Sequence, residues 1–147
     1  MRPPGLAKFC QWLEQTPASQ AIQDTSWVVP SVQSVHILAV AAVMASVLML
    51  DLRFAGLAWR EQPVPQVRAR FAPVIWWALP VLLATGAVMI TGEPARSLAN
   101  PVFQIKMLLL IAAIVVTLLP YANRAVAAVS LILWIGVVFA GRWIAYY

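Results

Sequence analysis

Gln33, His36, Lys106 and Arg142 interrupt otherwise apolar runs, and Glu93 stands at the edge of one. Ionisable groups at bilayer depth are costly, so each carries a functional hypothesis by default. The imidazole of His36 can ligate a haem iron. Met107 or Met89 would then supply the second axial ligand, and Lys106, Arg96 or Arg142 would face the propionates. The chain has 1 histidine, so it cannot form a bis-histidine haem site by itself. The same imidazole, with Lys106 or Arg142, can instead hydrogen-bond a quinone carbonyl or a lipid phosphate. A third use is structural: Glu93 pairs with Arg142 or Lys106, the long basic side chains snorkel outward, and Gln33 and His36 bridge helices. Asp51 and Arg53 close the first apolar run, where an ion pair is cheap. They read as a local lock rather than a proton relay.

Composition removes most other chemistry. Of 147 residues, 63% are hydrophobic and 10% charged, with a mean hydropathy of +0.84. Soluble domains carry about 25% charged residues, so this chain cannot cover a globular surface with water-compatible side chains. With 1 cysteine it forms no intrachain disulfide, and it lacks the Cys/His clusters of a structural zinc site. No metal is expected beyond a haem iron at His36. Cys10 reads as a small apolar residue. Gly136 and Gly141 form no phosphate loop, because neither a strand nor a Lys-Thr pair accompanies them. The net charge of +5 comes from basic residues scattered singly between apolar runs, which excludes nucleic acid as a partner.

Apolar runs long enough to cross a bilayer of about 30 Å, which takes about 20 helical residues, occur at 28–50, 71–91, 101–119 and 123–146. They do not alternate, which excludes barrel strands. Asn100 and Pro101 supply a cap and a first-turn proline for the third span. Short connections predict an all-α integral membrane four-helix antiparallel bundle. The segment 1–27 precedes a single bundle domain, 28–147. It lacks a secretory signal core. Leu6, Phe9, Cys10 and Leu13, then Ala18, Ala21 and Ile22, recur at helical spacing. With Trp12 and Trp27 they predict a short amphipathic helix lying in the interface or packed across the bundle mouth. Either way it forms a lid.

Arg53, Arg60, Arg68, Arg70 and Arg124 mark one membrane side, and Arg2, Lys8, Arg96, Lys106 and Arg142 the other. The first group lies closer to the span ends, which predicts a cytoplasmic first loop with both termini outside. Trp59, Trp76 and Trp77 belong to one interfacial belt; Trp12, Trp27, Trp143, Tyr146 and Tyr147 belong to the other. Trp134, near mid-span, is expected to face lipid or a partner. The pairs Ala41/Ala45, Ala42/Ser46 and Gly136/Ala140 allow close helix approach. At 1.5 Å per residue His36 lies about 12 Å, and Lys106 and Arg142 about 8 Å, from the outer ends of their helices. Any chemistry is therefore expected in that outer layer.

Four motifs in order, Ser34-Val-His36-Ile-Leu-Ala, Asp51-Leu-Arg53-Phe-Ala-Gly56, Asn100-Pro-Val-Phe-Gln-Ile-Lys106 and Gly141-Arg142-Trp143-Ile-Ala-Tyr, resemble an uncharacterised family of small bacterial four-helix inner-membrane proteins, known as a domain of unknown function. More distantly the chain is similar to CopD-type copper-resistance proteins and cytochrome b561-type bundles. The resemblance implies a multi-pass protein of the bacterial inner membrane. Relatives in that family carry a histidine at the end of the third helix, where this chain has Pro120-Tyr121. The expected function is that of a structural or accessory subunit, beside other membrane subunits or further copies of itself in a respiratory or redox assembly. Catalytic activity of its own is not expected. The alternative is an electron-transfer protein binding b-type haem or quinone through His36.

Overall fold

The computed structural model describes residues 4–119 and 123–146. Arg2, Pro120, Tyr121 and Tyr147 of the sequence reading lie outside them. Helices α1 (Pro4–Glu14) and α2 (Pro17–Asp24) precede the long helices α3 (Val28–Phe54) and α4 (Val64–Gly92). The short α5 (Pro94–Leu98) leads to α6 (Pro101–Leu118) and α7 (Arg124–Trp143), and a 3-10 turn follows at Ile144–Tyr146. No strand occurs among the described residues. The four long helices, α3, α4, α6 and α7, are each long and apolar enough to span a membrane, and the chain is a multi-pass membrane protein with a four-helix bundle fold.

Local chemistry sets the helix starts. Asn100 Oδ1 accepts from the Val102 amide at 2.9 Å with Pro101 next in line, and Asn123 Oδ1 accepts from the Val126 amide at 2.8 Å. Two helices differ in extent from the hydropathy reading. α4 starts seven residues earlier than expected, at Val64 rather than residue 71, and α3 runs through Asp51 and Arg53 to Phe54. Charge ends a hydrophobic run but not a hydrogen-bond ladder, so Arg68, Arg70 and Asp51 are all helical. Pro73 and Pro80 lie inside α4, on the exposed side with Trp76 and Trp77. Val67, Ile75 and Ala78 turn inward.

The spans pack in the order α4–α3–α7–α6. Sequential spans were expected to be neighbours throughout, yet α4 and α6 diverge. Between them opens a cavity of about 90 Å³ lined by Ile75, Trp76 and Leu79 from one side and Ile114, Thr117 and Leu118 from the other. The buried core joins Val43, Val47 and Leu50 of α3 to Val67, Ile75 and Ala78 of α4, Ala113 of α6, and Trp134 and Val137 of α7. Lipid tails are as apolar as these side chains, so association rests on close packing rather than on water exclusion. Ala113, Ala127 and Ser130 provide that closeness, all nearly inaccessible. Of the small-residue pairs read from sequence, Ala41 and Ala45 are exposed, Ser46 is buried, and Gly136 lies against Leu109 of α6.

Between α3 and α4 the chain turns through Gly56 at φ +72° and Trp59 at φ +52°. The left-handed conformation at Trp59 is held by stacking of its indole on Phe71, with centroids 5.2 Å apart. At the opposite end α1 and α2 pack across α4 and α5. Cys10 faces inward and is a free, buried thiol.

Candidate functional site

Polar side chains gather in two layers, one beneath α1 and α2 and one at the end carrying the α3–α4 loop. In the first, His36 of α3 meets α4: its Nδ1 lies 2.7 Å from Thr85 Oγ1, and its ring packs beside Gly86. The Thr85 hydroxyl also lies 2.6 Å from the Val81 carbonyl and 3.3 Å from the Leu82 carbonyl. When its proton goes to either carbonyl, it accepts from His36 Nδ1–H, and Nε2 then presents its lone pair, the arrangement a metal-ligating or proton-accepting histidine requires.

Lys106 of α6 lies along Gly141 of α7, where a side-chain carbon would stand 3.5 Å from Nζ. The missing side chain makes the bed for the lysine. Its ammonium is within electrostatic reach of His36 and forms no ion pair among the described residues.

The other residues expected in this layer do not join the pair. Glu93 binds Arg96 at 2.9 Å instead of Arg142 or Lys106. The reason is local, since three residues along the chain bring Arg96 to Glu93 without crossing the bundle. Arg142 is exposed and lies over the Tyr146 ring, 5.8 Å from its centroid. Gln33 is exposed as well. Met89 stands four residues beyond Thr85 on the same face of α4, and Met107 follows Lys106; both are half-buried. Above this layer an open groove of about 620 Å³ runs between α2, the start of α3 and the end of α4, with Glu14, Gln23, Glu93 and Arg96 on its walls.

At the loop end, the Asp51–Arg53 lock does not form. Residues two apart point to different sides of a helix. Arg53 turns out to donate from Nε to the Gln62 carbonyl at 2.9 Å, while Asp51 turns in and is 6% exposed. Ser130 of α7, 2% exposed, faces its carboxyl group. The two fall short of hydrogen-bond geometry, and Asp51 Oδ2 and Ser130 Oγ are left without partners. Together with Arg68 of α4 and Thr117 of α6 they line a cavity of about 20 Å³ where all four spans meet. Leu50, Arg68 and Thr117 also line the larger α4–α6 cavity, so the two adjoin.

Trp134 completes this layer. Expected to face lipid or a partner, it is instead 3% exposed, and its Nε1 donates to Thr117 Oγ1 at 3.0 Å. An indole N–H has no acceptor in hydrocarbon, and that requirement turns it inward. No protein-family model, curated protein or solved structure matches this chain. Among the described residues no group of three metal-ligating side chains occurs either. The two layers are therefore read on their own geometry.

Ser130 and Thr117 went unmarked in the sequence because hydroxyls are common in spans. A signal was present: Ala127, Ser130, Trp134 and Val137 recur at three- and four-residue spacing, and so do Val43, Ser46, Val47, Leu50 and Asp51. Each stripe carries its polar members onto one face.

Proposed function

We propose that this multi-pass protein serves as a structural or accessory subunit of a larger membrane assembly. The supporting observation is that several polar side chains at the lid end tie the helices together. Ser19 and Gln23 of α2 donate to the Thr91 and Gly92 carbonyls at the end of α4, and Asn100 caps α6 while reaching the Ile144 carbonyl. The arginines of the loop end support a cytoplasmic placement of that end in a bacterial inner membrane. A photo-crosslinking residue in place of Trp77, which is 79% exposed on α4, is expected to trap one protein at a constant ratio in native membranes. Crosslinks to lipid alone would overturn the accessory reading.

A redox reading is favoured by one feature, the 2.7 Å contact with Thr85 that orients the His36 imidazole. For a haem, His36 would offer one ligand, and Met89 and Met107, both half-buried, are the sulfur ligands expected beside it. A quinone makes fewer demands, since Lys106 donates to a carbonyl oxygen and Nε2 accepts from a quinol hydroxyl. Dithionite-reduced spectra and lipid extracts of the purified protein separate the cases. A b-type band or bound quinone, lost in both His36→Ala and Thr85→Val, supports the redox reading; colourless protein with equal quinone in wild type and variants removes it.

A further inference from the structure

Asp51 is a carboxylic acid more than nine-tenths buried within a span, and one of its oxygens has no hydrogen-bond partner. Leaving such a group unsatisfied costs several kcal/mol in a low-dielectric interior. Ser130 Oγ, on the facing helix, is unsatisfied in the same way and borders the same cavity. Two orphaned atoms on one void are explained together by a bound water. The cavity, about 20 Å³, exceeds the roughly 10–15 Å³ that one water requires.

The surroundings decide what that water is for. Arg68 of α4, Thr117 of α6 and Ser130 of α7 border the cavity. Thr117 is already engaged, donating to Ala113 O at 2.8 Å and accepting from Trp134. The remaining arginines nearby turn elsewhere: Arg53 to Gln62, Arg60 to the Gly56 carbonyl, and Arg124 against Gly56. A metal ion would find too few oxygens there to replace its hydration shell. A proton needs only the carboxylate and a water to carry it.

We propose that Asp51 and Ser130 form an internal proton-binding site whose bound water relays protons between Asp51 and the solvent at the loop end of the bundle. On uptake, an O–H bond forms at Asp51 Oδ2 as the water gives up a proton and takes another from bulk hydronium; release is the reverse. No bond other than O–H changes and no electron moves. Ser130 is a positioning residue that holds the water against the carboxyl group.

Infrared difference spectra of the full chain in phosphatidylcholine vesicles, recorded while bulk pH is cycled in sodium-free choline buffer, test this directly. A carboxylic-acid C=O band is expected to rise and fall reversibly, to vanish in Asp51→Asn, and to move in frequency in Ser130→Ala, which keeps the acid and reports the bound water. A static spectrum, a titrating C=O absorbance unchanged in Asp51→Asn, or an Asp51-dependent component unmoved by Ser130→Ala overturns the site. A response that requires added sodium overturns proton binding in favour of a cation. Should Asp51→Asn fail to fold, the Ser130→Ala spectrum decides alone.

Discussion

Trp134→Ala is expected to lower the unfolding free energy by about 3 kcal/mol, the low end of the range for a buried tryptophan. Trp134→Phe should lower it by about 1 kcal/mol. The larger change removes an indole that joins the α7 core to Thr117 and walls the cavity between α4 and α6. That cavity would grow, and α4 and α6 have few other contacts with which to collapse onto it. In water much of such a loss comes from transferring apolar surface; inside lipid that part is small, and lost packing dominates. The phenylalanine variant keeps most of the packing and loses only the N–H···O bond. Reversible unfolding in mixed micelles, followed by far-ultraviolet circular dichroism, gives both values. If both variants unfold like wild type, Trp134 faces the bilayer and the inward placement is wrong.

Trp134 also shows how far the sequence could be read. Hydropathy locates spans because about 20 residues must share one property, and it succeeds for α3, α4, α6 and α7 within a few residues, apart from the start of α4. It carries no information on how a helix is rotated about its axis. When all sides of a helix are apolar, the lipid face and the core face have the same composition. Depth along the axis was legible for His36 and Lys106, and the two do approach each other. Rotation was not, and it separates Arg142 and Gln33 from them and turns Asp51 inward. The acid was discounted because it sits near a span end, where solvation is usually within reach. Its i, i+4 relation to Val47 was the better guide.

Replacing Ser19 and Gln23 together with alanine is expected to raise the rate at which Cys10 reacts with a thiol reagent by about tenfold, and by up to about a hundredfold. The last carbonyls of a helix have no partners within it. Here Ser19 Oγ donates to Thr91 O at 2.7 Å and Gln23 Nε2 donates to Gly92 O at 2.9 Å, so α2 caps α4 from outside. Each bond contributes about 0.5–1.5 kcal/mol net, and every 1.4 kcal/mol changes an opening equilibrium about tenfold. Cys10 reports that opening when α1 lifts together with α2. Thr16 joins them, its hydroxyl donating to Leu13 O at 2.6 Å and accepting from the Ser19 amide at 3.3 Å. Gly92→Leu tests the same hinge by a separate route. A β-carbon there would stand 2.9 Å from Ile22 Cγ2, so a branched side chain pushes α2 off the bundle while both hydrogen-bond donors remain. Unchanged labelling in both variants would mean that α1 is held on α5 independently of α2. The groove above His36 would then lie under a fixed roof rather than a hinged one. Faster labelling in both makes α2 the hinge on which the lid opens over the groove between α2, α3 and α4.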